Sequence, residues 1–197
     1  EISVRDWSSD VCSSDRAILA SVEPSDVRAN SAAIWERLSV VPEFASAEWL
    51  LLYVSTGNEV DTRALIVQLL AMGRHVCVPA FDEAAQHYVA SELHDFHIEL
   101  TEGKFKILEP RPKAVRPVES ARLQVLVVPG LGFDESGNRL GRGLGFFDRL
   151  LQTTPGVKIA LAYDFQILSE VPTADHDVRM DFIVTETRSI NCQRNST

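Results

Sequence analysis

The chain has 197 residues, 45% of them hydrophobic and 24% charged, with a formal net charge of −9. That length holds one complete hydrophobic core, since single domains usually run to roughly 100–200 residues, and the composition excludes disordered and collagen-like chains. The acidic balance, with no run of Lys and Arg, argues against a nucleic-acid partner, and the longest apolar stretches, Trp49–Val54 and Val125–Val128, are far below the roughly 20 residues that span a bilayer.

In chain order, residues 1–15 repeat a Ser-Ser-Asp unit without helical or strand periodicity and without a secretory pattern, and they read as a non-native or disordered N-terminal segment. Glu23-Pro24-Ser25-Asp26 is a helix-start signature, so a helix is predicted to about Leu38 with Ala33, Ile34 and Leu38 near one face. Trp49–Ser55 reads as a buried strand ending at a Gly57-Asn58 turn. Asp61-Thr62 then caps a second helix with a stripe of Leu65, Ile66, Leu69 and Leu70 that stops at Gly73, and His75–Pro79 is the next strand.

That strand, helix, strand order is a βαβ unit with parallel strands. Phe81 to Ala121 is an excursion in which His87–Leu93 adds a strand and the prolines at 110, 112 and 117 favour extended or turn structure. Leu123–Val128 is a strand, Phe146–Leu151 opens a helix, Val157–Tyr163 is a strand, and Asp181–Thr185 is the last one. The expected fold is α/β, a single domain of three layers with a mostly parallel central sheet flanked by helices. Cys12, Cys77 and Cys192 are odd in number and widely spaced, fitting neither a disulfide framework nor a zinc site and pointing to a reducing, cytoplasmic setting. His94 and His97 lack a third ligand at supporting spacing, so no metal site is assigned to them.

Six of the ten glycines fall between Gly130 and Gly145. Glycine lets the backbone take positive φ and approach a ligand closely, so that consecutive N–H groups can converge on an anion. The segment runs from a buried strand into a helix, and the helix N-terminus adds partial positive charge. Arg139 and Arg142 lie inside it, where guanidinium forks suit phosphate oxygens; a solvated surface charge is the alternative for each. Asp148 opens the helix, where a carboxylate can hold Mg²⁺ against phosphates or simply favour the first helical turn. No Gly-Lys-Ser/Thr follows and the G-x-G-x-x-G spacing is absent, so neither the P-loop nor the dinucleotide fingerprint applies.

The string Pro129-Gly-Leu-Gly-Phe-Asp134 followed by Gly137-Asn-Arg-Leu-Gly-Arg-Gly-x-Gly-aromatic-aromatic-Asp148 resembles the signature of the 5-formyltetrahydrofolate cyclo-ligase (5,10-methenyltetrahydrofolate synthetase) family. The resemblance continues in Tyr53-Val-Ser-x-x-x-Glu59-Val-Asp-Thr62, Gly73-x-x-Val76-x-Val-Pro79, Ile107-Leu-Glu-Pro110, Ala160-Leu-Ala-Tyr-Asp-Phe-Gln166 and Val171-Pro…His176-Asp177…Asp181…Thr185-Glu186. It implies residues 16–190 as a cyclo-ligase-like α/β domain, with 191–197 a polar tail. It further implies a cytoplasmic, monomeric enzyme that uses ATP and Mg²⁺ to cyclise 5-formyltetrahydrofolate, with small-molecule folate and ATP as its partners and neither nucleic acid nor membrane.

By the same resemblance Arg139, Leu140, Gly141, Arg142, Gly143, Leu144, Gly145, Phe146 and Phe147 line ATP, and Arg142 to Phe146 also face the folate. Val54 and Glu59 complete the folate contacts, Asp148 and Asp177 bind Mg²⁺, and Arg142 and Asp148 are the catalytic pair. Gln166 stands outside this set.

Departures from the pattern are Leu144 in place of lysine or glycine, Phe146-Phe147 in place of Tyr-Tyr, and Ala80 in place of arginine. The basic N-terminal helix of the family is represented only by Arg5 and Ser9 at its two charged positions, which predicts weak ATP binding. The lost polar groups leave open a second reading, a folate- or nucleotide-binding relative with weak or no turnover.

Overall fold

The structure is a computed structural model describing residues 19, 21–82, 87–103, 107–141, 146–174 and 177–195. The N-terminal segment 1–15 lies outside the described residues. Helix α1, Pro24–Ser39, starts with proline in its first turn, where a missing N–H is harmless, and places Asp26 at its positive end. A short α2, Pro42–Ser46, leads into strand β1, Trp49–Leu52. Helix α3, Arg63–Ala71, buries Leu65, Ile66 and Leu69, and Gly73, at φ 76°, ends it.

The next strand, β2, runs from His75 to Asp82, three residues beyond the predicted end, because Val76 to Asp82 pair with antiparallel β3, His87–Leu93. Helix α4, Phe96–Glu99, and the small hairpin of β4, Leu100–Glu102, and β5, Leu108–Pro110, complete the excursion. The chain then returns to the centre of the sheet in β6, Val125–Val128. After it come β7, Gly132–Asp134, β8, Arg139–Leu140, helix α5, Phe146–Thr153, β9, Val157–Leu161, β10, Ile167–Leu168, β11, Phe182–Val184, and β12, Ser189–Asn191.

The main sheet has the order β12-β11-β9-β6-β1-β2-β3. Its five central strands are parallel, and both edge strands are antiparallel. Side chains alternate across it. Leu50, Leu52, Val76, Val78, Val125 and Val127 face Ile34, Leu38, Phe44, Ile66 and Leu69 of the first three helices. On the other face Leu51, Cys77, Leu126, Val128 and Ala160 meet Phe133, Leu150 and Leu151. The expected three-layer α/β arrangement with a mostly parallel sheet is therefore the observed one.

The chain end differs from expectation. Ser189–Asn191 forms an edge strand against β11, with Ile190 and Cys192 buried, so Asp181–Thr185 does not contain the last strand. Cys192 N–H donates to the Asp181 carbonyl at 2.9 Å, which fastens this segment to the sheet.

Two neighbours flank β1. From β1 the chain moves outward to β2 and β3, then crosses back to β6 and continues outward through β9 and β11. The reversal between β1 and β6 is a topological switch point, and the crevice beyond the carboxyl ends of these strands is where open α/β sheets bind ligands. The loop with Val54 and Glu59 follows β1, and the glycine-rich segment follows β6.

Candidate active site

The loop after β1 is held by its own side chains. Ser55 N–H donates to Thr62 Oγ1 and Thr62 N–H donates to Ser55 Oγ, both at 3.1 Å, while Thr62 Oγ1 donates to the Tyr53 carbonyl at 2.6 Å. Thr62, thus engaged, is the N-cap residue of α3 without capping it by its side chain. Asp61 Oδ1 accepts from Arg63 N–H at 2.9 Å in its place. Helix α1 pins the loop from outside, since Trp35 Nε1 donates to the Asp61 carbonyl and Asp61 N–H donates to Ser31 Oγ, at 2.7 and 2.9 Å.

Glu59 projects within this frame, its Oε2 accepting from Thr56 N–H and Thr56 Oγ1 at 2.8 and 3.1 Å. With Arg28, Ser55, Asp61 and Arg63 it borders a cavity of about 370 Å³. Val54 differs: its side chain is buried in the core, so it shapes the floor of the loop and presents little surface to a ligand.

The segment after β6 is not one continuous glycine loop. It forms a hairpin in which β7 pairs with β8, and β10 adds to β7. The turn between them is built on Asp134, whose Oδ1 accepts from Ser136 and Asn138 N–H, both at 3.0 Å, and whose Oδ2 accepts from Asn138 Nδ2 at 2.8 Å and Val171 N–H at 2.9 Å. Gly137 takes φ 87° there, and a Cβ on it would lie 2.4 Å from the Met180 carbonyl oxygen. Gly130 serves space instead, because a Cβ would meet the buried Phe133 ring at 2.4 Å.

Gln166, which sequence reasoning left out of the site, clamps this segment. It is buried, accepts from Tyr163 N–H at 2.9 Å, and donates through Nε2 to the Gly130 and Leu131 carbonyls at 2.9 and 3.1 Å. The matching string Ala160-to-Gln166 was its only signal in the sequence.

Arg139 and Leu140 sit on β8 and Gly141 follows it, while Arg142, Gly143, Leu144 and Gly145 lie outside the described residues. Phe146 begins α5, and Phe147 packs against both core faces. The structure brings Arg139 and Asp148 into direct contact: the guanidinium donates through Nη2 to Asp148 Oδ1, and through Nη1 to the Pro129 carbonyl at 3.3 Å. Burial pushes the Arg139 pKa down, opposed by the negative charges of Asp148 and Asp177 and the hydrogen bond to Asp148.

Both carboxylates that sequence reasoning assigned to a metal therefore act on one guanidinium. Asp177 Oδ2 accepts from Ala174 N–H at 2.7 Å, and Asp177, Arg139, Asn138, Thr173 and Arg179 border a second cavity of about 270 Å³. Among the described residues no group of three or more His, Cys, Asp and Glu side chains is placed to hold a metal. A cation here would rest on two carboxylates completed by ligand oxygens and water, which is the usual manner of Mg²⁺ bound with phosphates. The donor chemistry fits: both carboxylates offer hard oxygens, and both act on the one positive charge of Arg139.

A sequence model described as the 5-formyltetrahydrofolate cyclo-ligase family matches residues 13–186. This chain belongs to that family. The 5-formyltetrahydrofolate cyclo-ligase of Escherichia coli K12 is 30% identical over 155 residues, covering 77% of this chain and 85% of its own length. The cyclo-ligase of Mycolicibacterium smegmatis is 34% identical over 142 residues, covering 70% and 73%. Among solved structures, the NMR structure of Aquifex aeolicus 5,10-methenyltetrahydrofolate synthetase superposes with a TM-score of 0.84 at 27% identity, covering 94% of this chain and 93% of its own. Cyclo-ligase family membership thus agrees with the resemblance seen in the glycine-rich segment. Among the described residues no helix is long and apolar enough to cross a membrane.

Proposed function

We propose that this chain cyclises 5-formyltetrahydrofolate to 5,10-methenyltetrahydrofolate with consumption of ATP and release of ADP and phosphate. The observation that carries the reading is the pairing of two segments at one switch point: the Glu59 loop beyond β1, and beyond β6 the Arg139–Asp148 pair with Asp177 beside it.

A formamide oxygen is a poor leaving group. Transfer of the γ-phosphoryl group to it forms a P–O bond as the bond to ADP breaks, leaving an iminium-like phosphate ester. N10 attacks the formyl carbon, the C–O bond breaks with phosphate leaving, and N10 gives up its proton. Little of this is covalent work for the protein, which has to align N10, the formyl carbon and the phosphoryl group and neutralise developing charge.

Glu59, already oriented by Thr56, suits the polar edge of a pterin or the formamide. Arg139 and Arg142 supply guanidinium forks to phosphate oxygens, and residues 140–147 are assigned to the nucleotide by the family resemblance. Asp148 and Asp177 would hold Mg²⁺, which supplies charge neutralisation on the phosphates when bound. Binding of folate or nucleotide without turnover is the second reading, motivated by Leu144 and Phe146-Phe147, which lack the polar groups of the family pattern.

The test follows the absorbance of the methenyl product with 5-formyltetrahydrofolate, ATP and Mg²⁺. Product formation that requires both ATP and Mg²⁺ and falls at least a hundredfold in Asp148→Asn supports the reading. Ligand binding with no product would favour the second reading, and product formed without ATP would overturn the mechanism.

A further inference from the structure

The contact between Arg139 and Asp148 sets a condition on how a cation enters the site. Arg139 is only 9% exposed along its side chain, whereas Asp148 is 44% exposed. The pair joins β8, just before residues 142–145, to the first turn of α5, just after them. Asp177, which borders the 270 Å³ cavity together with Arg139, adds its charge to the same guanidinium.

We propose that Arg139 holds the cation's place in the ligand-free protein and leaves Asp148 only when a polyphosphate arrives to receive it, so that the divalent ion enters with the nucleotide and not before it. This rests on the reading of the site as one for ATP and a divalent cation.

Local charge carries the argument. Arg139 and Arg179 against Asp148 and Asp177 leave no net charge, and so no net attraction for a free dication. Such an ion must also separate Asp148 from a buried guanidinium, and a buried charge deprived of its partner is strongly destabilising. A triphosphate removes that obstacle. Its oxygens match the guanidinium fork, so Arg139 exchanges one anionic partner for another, and Asp148 becomes available to the ion that the phosphates carry. Arg179, bordering the same cavity, makes no hydrogen bond or ion pair among the described residues and offers a second positive charge to the incoming anion.

Mn²⁺ serves as the probe, read by the loss of its free-ion paramagnetic resonance signal on the full chain, with and without a non-hydrolysable ATP analogue. In the unaltered protein Mn²⁺ alone binds weakly and the analogue tightens it at least tenfold. Arg139→Gln binds Mn²⁺ at least tenfold more tightly than the unaltered protein in the absence of nucleotide, and adding Asp148→Asn abolishes that gain. Arg139→Lys, which keeps the charge, retains the nucleotide requirement.

Because Asp148 is half-exposed, its unpaired carboxylate can be solvated in Arg139→Gln; thermal unfolding checks that the variant is folded. Nucleotide-free Mn²⁺ affinity of Arg139→Gln within twofold of the unaltered protein overturns the proposal. So does an unaltered protein that binds Mn²⁺ equally well with and without the analogue, a measurement that depends on no variant. Failure of the unaltered protein to bind Mn²⁺ even with the analogue would instead remove the underlying assignment of ATP and metal to this site.

Discussion

Replacing Asp134 by alanine tests whether the hairpin that carries Arg139 is as firmly built as its hydrogen bonds imply. The carboxylate is 3% exposed and accepts four hydrogen bonds, from Ser136, Asn138 twice, and Val171. Ser136 is exposed and its N–H can turn to water, but Val171 is buried and its N–H is stranded. A stranded buried donor costs about 1–3 kcal/mol and each hydrogen bond to a charged group contributes about 1.5–3 kcal/mol. Relief of the buried charge offsets part of this, so we expect Asp134→Ala to lose about 3–5 kcal/mol. At roughly 2–4 °C per kcal/mol for a chain of this size, Tm falls by roughly 10 °C.

Asp134→Asn should be intermediate, because its oxygen can serve one pair of donors while its amide NH₂ faces the other pair. Urea unfolding followed by circular dichroism gives the free energies, and an unchanged slope with denaturant shows that the loss belongs to the folded state. A loss under about 1 kcal/mol for Asp134→Ala, with that slope unchanged, would refute the reasoning about the stranded Val171 donor.

The ion pair of Glu99 with Arg116 predicts an acid limb in the stability profile. The hydrogen bond from Arg116, opposed by burial and aided by the His94 and Asp95 N–H groups, pushes the Glu99 carboxyl down to about 2. Since the folded value is depressed, the contribution is complete above the ordinary carboxylate value of about 4.3 and lost as pH falls through the window toward about 2. Glu99→Gln should be less stable at neutral pH and show a shallower decline in that window; parallel acid limbs in the two proteins would contradict it. Gly130→Ala forces a methyl group against the Phe133 ring, and overpacking of this kind costs about 1–3 kcal/mol. It also displaces the carbonyls bonded by Arg139 and Gln166, so both Tm and the rate of methenyl product formation should fall, whereas an unchanged rate would show that the loop absorbs the shift.

The central sheet is legible in the sequence because its strands are covered on both faces. Leu50-Leu-Leu52 and Val125-Leu-Val-Val128 are continuous apolar runs, and the helical stripe between β1 and β2 forces a parallel crossover. Edge strands lack that signature. β12 has Ile190 alone between Ser189 and Asn191, and its membership in the sheet depends on pairing with β11 and on the bond from Cys192 to Asp181. No local pattern records either contact. The Asp134 turn was hidden for a similar reason, since Val171, one of its donors, lies far along the chain.

At the site the chemistry of individual residues was legible, but their mutual relations were not. Arg139 read as a ligand for phosphate and Asp148 as a ligand for metal, on the assumption that each side chain waits for its own partner. In the structure they bond to each other, with the charge of Asp177 reaching the same guanidinium. The contact spares the buried Arg139 guanidinium an unpaired charge, whereas the half-exposed Asp148 can also be solvated. Under the proposed function the two side chains meet oppositely charged halves of a metal–nucleotide complex, and groups complementary to such halves are complementary to one another. The energy of the Arg139–Asp148 pair then becomes, under that proposal, a term in the affinity for both halves.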